Sequence, residues 1–133
     1  MSVRSKGKRK IVRNGRLFYW KVGEDLEDEG RIKLRLISDD RRLVVTYEVG
    51  QSASGLARPM MVIEGKEFAG LEDREDVRCV VRTPVWDDAI ITPGLVGTII
   101  DWCAAPKESV EIIEGYNAFE ALRGDFFWRP EAD

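Results

Sequence analysis

The sequence predicts an α+β fold: a mainly antiparallel, twisted sheet of about five to seven strands, with one principal helix packed on one face. Three observations carry this expectation. Asn14-Gly15 stands between two β-rich runs, Lys10–Arg13 and Arg16–Val22. A two-residue type I′ turn needs positive φ at both positions, and Asn-Gly supplies it. Arg31–Ser38 alternates strictly, with Ile32, Leu34 and Leu36 on one side and Arg31, Lys33 and Arg35 on the other. That is the period of a half-buried strand. Thr92-Pro93 then opens a run in which Leu95, Val96, Ile99, Ile100, Trp102 and Cys103 recur at helical spacing.

The elements follow in order. Residues 1–8 are expected to form a disordered basic arm, and residues 9–133 a single α+β domain. After the first hairpin, Gly23–Gly30 reads as an acidic loop containing Glu24, Asp25, Glu27, Asp28 and Glu29. Arg42–Val49 puts Leu43, Val45, Tyr47 and Val49 on one face and should lie antiparallel beside the strand that precedes it. Gly50–Pro59 reads as a loop, Met60–Glu64 as a short strand, Gly65-Lys66 as a turn and Phe68–Asp76 as irregular. Val77–Thr83 reads as a strand that Pro84 ends, since proline cannot donate to a ladder.

Thr92 is suited to cap the helix and Pro93 to occupy its first position, and the helix should stop before Pro106. Gly94 and Gly97 each cost the helix about 1 kcal/mol relative to Ala, and their lack of side chains leaves room for close packing. Ser109–Ile113 reads as a strand or the beginning of a helix. Asn117 is placed to cap a short helix through Leu122, ended by Gly124. The run Phe126-Phe127-Trp128 must dock on the protein's own sheet or on another subunit.

Composition excludes more than it assigns. There is no histidine. That removes the commonest general base and metal ligand, and with them His-dependent triads, Cys-His dyads and His-containing zinc sites. Two cysteines cannot build a four-cysteine zinc site. Cys79 and Cys103 read as small buried apolar residues rather than a disulfide. The acidic loop lacks the ligand spacing and central glycine of a calcium loop. No phosphate-binding glycine motif occurs, and Ser52 and Ser54 have no histidine to activate them. No metal and no cofactor is therefore expected. No apolar run approaches the roughly 18 residues that span a bilayer, and the first residues are polar and basic. The expected location is the cytoplasm, with no membrane partner. The net charge is −3, but seven of the 21 basic residues fall within the first 16 positions, where no acid occurs.

The candidate partner-binding residues are Arg31, Lys33 and Arg35, which project from one strand face, and Trp128, an aromatic anchor suited to self-association. Tyr19 is a candidate for stacking a base beside that basic face. Trp86-Asp87-Asp88 reads as a turn or cap before it reads as a small-ligand site.

The stretches Val12-Arg13-Asn14-Gly15-Arg-Leu-Phe-Tyr-Trp20, Ile37-Ser38-Asp39-Asp40 and Ile91-Thr92-Pro93-Gly-Leu-Val96-Gly-Thr-Ile-Ile100-Asp-Trp102 resemble a group of small uncharacterised bacterial proteins. These share an N-terminal Asn-Gly hairpin rich in Tyr and Trp and a late Thr-Pro helix. The resemblance implies a small bacterial α+β domain and no particular activity. The functional expectation is a non-enzymatic binding or protein-interaction domain that acts on a protein partner or forms a homodimer. The alternatives are a nucleic-acid-binding module using the basic arm and the Arg31/Lys33/Arg35 face, and a small-ligand carrier or histidine-free enzyme.

Overall fold

Asn14 and Gly15 adopt φ of 55° and 78°, the doubly positive pair of a type I′ turn, and fold β1 (Arg9–Arg13) onto β2 (Arg16–Asp25). The structure is a computed structural model that describes residues 8–26, 29–53, 58–73 and 78–113. β3 (Arg31–Ser38), β4 (Leu43–Glu48), β5 (Met60–Gly65) and β6 (Arg78–Arg82) follow. All six strands form one antiparallel sheet in chain order, a meander with no crossover. A bridge from Val81 to Ile112 extends the sheet past β6. It is supported by bonds from Arg82 N–H to the Glu111 carbonyl (2.9 Å) and from Ile113 N–H to the Val80 carbonyl (2.9 Å).

The strict alternation read from the sequence sets the two faces. One carries Phe18, Trp20, Leu34, Leu36, Val45, Tyr47, Met61, Ile63 and Val81, all buried. α1 (Pro93–Ala104) covers this face with Val96, Ile99, Ile100 and Cys103. The Thr92 hydroxyl accepts from Leu95 N–H at 3.1 Å, and Pro93 takes the first turn, where its missing N–H costs nothing. Phe68 and Leu71, from the segment read as irregular, are also buried in this core. Tyr47, Trp86, Trp102 and Phe68 then form a chain of edge-on ring contacts with centroids 5.2–5.7 Å apart. The Lys107 ammonium lies over Phe68 and Trp102, at 4.3 and 4.8 Å, and donates to the Ala105 carbonyl at 2.8 Å, closing the C-terminal end of α1.

Two details differ from the sequence reading. β2 continues through Glu24 and Asp25, which pair with Ile32 and Arg31. Three of the eight residues of the supposed acidic loop are thus strand, because pairing with β3 outweighs the weak β preference of acidic side chains. Of the two helical glycines, only Gly97 serves packing: the Arg13 guanidinium occupies the space of its absent side chain, whereas Gly94 is exposed. Arg13 forms a two-bond contact with Asp101, at 3.1 and 2.6 Å, and Asn14 donates to the same carboxylate at 3.2 Å. The hairpin turn is thereby tied to the helix. Of the expected 1–8 arm, residues 1–7 lie outside the described residues, as do the helix expected at Asn117–Leu122 and the Phe126–Trp128 run.

Gly65 sits at φ 90°, and a Cβ there would overlap the Arg42 carbonyl oxygen. Gly65→Ala should destabilise the fold by about 2 kcal/mol or more, since both backbone strain and the clash oppose it. Urea denaturation measures this as a lowered midpoint. Bonding to Arg13 holds the Asp101 carboxyl below its ordinary value of 3.8. A depressed folded pKa gives stability that is present above about pH 4 and lost as pH falls through the folded value. The melting temperature should therefore drop from pH 5 to pH 3, and Asp101→Asn should make that drop shallower.

Candidate functional site

The register places Tyr19 opposite Ile37, Lys21 opposite Arg35 and Gly23 opposite Lys33 on the sheet face away from α1. These side chains, with Lys8 and Thr46, line a concavity of about 440 Å³. Of the residues expected to bind a partner, Lys33 and Arg35 enter this concavity, and Arg31 flanks it on the same strand. Their environments differ. Arg35 is exposed, whereas Lys33 is 8% exposed and its ammonium pairs with Asp25 at 3.1 Å. Arg31 approaches Glu29 at 3.5 Å. Trp128 lies outside the described residues.

Sequence reasoning missed Lys21. It faces Arg35 directly across two strands, and like charges in that position destabilise a sheet. An anionic group seated between them would reverse the sign of that interaction. Pairing the two strands in register was the step needed to see it.

A second groove, about 450 Å³, opens on the helix-bearing side. Val22, Ile32, Val49, Ile90 and Ile91 line it, with Arg9 and Lys21 at its rim and no carboxylate among its lining residues. Val22, Ile32 and Ile90 are 38%, 40% and 74% exposed. The period-2 pattern put Ile32 on the core face. Near the end of the hairpin, however, α1 no longer covers that face, so the same pattern leaves an apolar surface in water. Trp20, 5% exposed, floors the groove beneath the Arg9 guanidinium, 5.3 Å from its ring centre.

Two of the seven N-terminal cations, Arg13 and Arg16, are held in ion pairs. Arg13 is held by Asp101. Arg16 reaches Asp40 at 3.1 Å and Glu67 at 2.7 Å and lies over Phe18. Asp40 in turn accepts from the Ser38 hydroxyl and Arg42 N–H, which hold its carboxyl below the usual range and fix the β3–β4 turn.

The Trp86-Asp87-Asp88 segment is a structural clamp. Asp88 is fully buried and accepts from Ser52 N–H and Ala53 N–H, both at 3.0 Å, and from the Tyr47 hydroxyl. Burial, then the Asp88 contact, pushes Tyr47 above its ordinary range. Gln51 completes the clamp through the Met60 N–H (2.8 Å) and carbonyl (2.9 Å). The segment does not form the local turn or cap read from the sequence: the Asp88 carboxylate accepts instead from backbone N–H groups 35 and 36 residues away. Asp87 is exposed. Neither cysteine forms a disulfide, and burial pushes the Cys103 thiol up to about 12, which leaves it unreactive. Among the described residues, no three His, Cys, Asp or Glu side chains are grouped to hold a metal ion. Nor is any described helix long and apolar enough to cross a membrane.

Asp88→Ala would strand two buried N–H donors and the Tyr47 hydroxyl, and should cost roughly 3–5 kcal/mol. Equilibrium denaturation measures the loss, and proteolysis should show earlier cleavage between β4 and β5. In comparisons with known proteins, the chain matches no family model, no curated protein and no solved structure.

Proposed function

We propose that the protein is a non-enzymatic, protein-binding domain of the bacterial cytoplasm, and that it holds its partner in the apolar groove beside the β2–β3 hairpin end. The observation that supports this reading is the grouping of Val22, Ile32 and Ile90, all substantially exposed, around one concavity. Single exposed aliphatic residues need no explanation, but aliphatic residues gathered about a groove mark an interaction surface. Two cysteines without a disulfide between them suit a reducing compartment. The Asp88 carboxylate is committed to its clamp, so it offers no acid–base pair with Asp87. In a homodimer formed symmetrically through this groove, the Arg9 and Lys21 rims of both copies would share one interface, which favours a partner of different chemistry.

A nucleic-acid reading is favoured by the basic concavity and Tyr19. It is weakened by the pairing of Arg13, Arg16 and Lys33 with carboxylates.

The test uses a partner purified after capture from extract. Ile90→Asp and Ile32→Thr should each weaken its binding about tenfold or more, given the roughly 1.5–3 kcal/mol carried by a buried aliphatic side chain. The unfolding midpoint should stay close to that of the parent. Undiminished binding by both variants would rule out the groove as the interface.

A further inference from the structure

The β1–β2 ladder stops at the pair Arg9–Trp20, whereas β2 runs on to Asp25 and stays paired with β3 to that end. In an antiparallel ladder both backbone groups of one residue point to the same neighbour, and successive residues alternate. Asp39 N–H donates to the Leu17 carbonyl, and Gly30 N–H to the Asp25 carbonyl, both on the β3 side. Odd-numbered residues of β2 therefore serve β3, and even-numbered ones serve the β1 side. Val22 and Glu24 turn their N–H and C=O groups outward, and among the described residues no strand pairs with them there. Such an edge is a template for another strand.

The two concavities meet at this edge, since Trp20 and Lys21 line both. A strand laid along it would send successive side chains to opposite faces. On one face they would enter the groove beside Val22, Ile32 and Ile90. On the other they would meet Lys8, Lys21, Lys33 and Arg35, which outnumber the two carboxylates of that concavity. Gly23 faces this second side, and among the described residues a Cβ there would approach only Lys21, at 3.9 Å, so Gly23 itself sets no side chain in the way of an added strand.

We propose that the Val22–Glu24 edge is a β-addition site for an extended segment of a partner protein in which apolar side chains alternate with acidic ones. The apolar set enters the groove beside Ile32 and Ile90, and the acidic set relieves the repulsion between Lys21 and Arg35. Main-chain bonds supply affinity and the two faces supply specificity. This inference rests on the protein-binding reading of the groove and adds the partner's chemistry and mode of attachment.

The full chain, labelled with ¹⁵N, is titrated with a capped peptide of alternating Val and Glu. Saturable shifts should appear at the Val22 and Glu24 amides, with slowed hydrogen exchange at both. A Val/Lys peptide should bind at least tenfold more weakly, as should the Val/Glu peptide on Lys21→Glu. Two further peptides are N-methylated at either the odd or the even positions, and one of the pair should lose tenfold or more. If both methylated peptides bind as well as the parent, yet Ile90→Asp weakens them, strand addition is overturned and the groove reading stands. Unchanged binding of the parent peptide to Ile90→Asp overturns both. An absence of shifts at Val22 and Glu24 overturns the proposal. So does tighter occupation of these amides by a single-stranded oligonucleotide, or by a second copy of the chain in sedimentation.

Discussion

Covering one face of a twisted sheet with α1 fixes the register of every strand beneath it. Side chains alternate with a period of two, so a one-residue slip in β3 would carry Lys33 and Arg35 under the helix and expose Leu34 and Leu36. Desolvating the exposed Arg35 and parting Lys33 from Asp25 would cost far more than any change in strand pairing could recover. The core is thus the reason the basic face exists where it does. Tyr19, Lys21 and Arg35 stand together because Phe18, Trp20, Leu34 and Leu36 are buried on the other side of the same strands.

Polar clamps then hold the edges of this sandwich where apolar contact is thin. The Arg13–Asp101 pair joins the first hairpin to the helix, while Asp88 and Gln51 hold the long connection between β4 and β5. The clamps differ in kind. Arg13 and Asp101 are about two-fifths exposed, so their pairing contributes modestly and mainly sets orientation. Asp88 is fully buried, and its bonds replace the water it has lost. Gly97 shows the balance at the exposed clamp. An alanine there would gain about 1 kcal/mol of helix propensity but displace the Arg13 guanidinium, so the two effects nearly offset.

The fold was legible because its main signals are local. Asn14-Gly15 dictates its own turn, Arg31–Ser38 its own alternation, and Thr92-Pro93 its own helix start, and each needs no knowledge of distant chain. The candidate site was only partly legible. Arg31, Lys33 and Arg35 could be assigned to one face from spacing alone, but their different fates depend on Asp25 and Glu29, which belong to a hairpin longer than its composition suggested. The Asp88 clamp joins segments far apart in sequence, and no residue pattern announces it. The exposed groove was hidden for a different reason. Alternation reports which face a residue occupies, and it cannot report where the covering helix ends.

The mismatch in strand length ties these points together. β1 has five residues and β2 has ten, so among the described residues β2 is paired on both sides at one end and on the β3 side alone at the other. Sheets usually blunt such edges with charge, bulges or short length. Here the edge carries Lys21 beside Arg35 on one face and exposed aliphatic chains on the other. The positive charge discourages strands of like charge, and the apolar chains reward any strand that brings apolar side chains at alternate positions. An edge built this way is selective rather than inert: its hydrogen-bonding groups accept any backbone, and its two faces decide which sequence can remain.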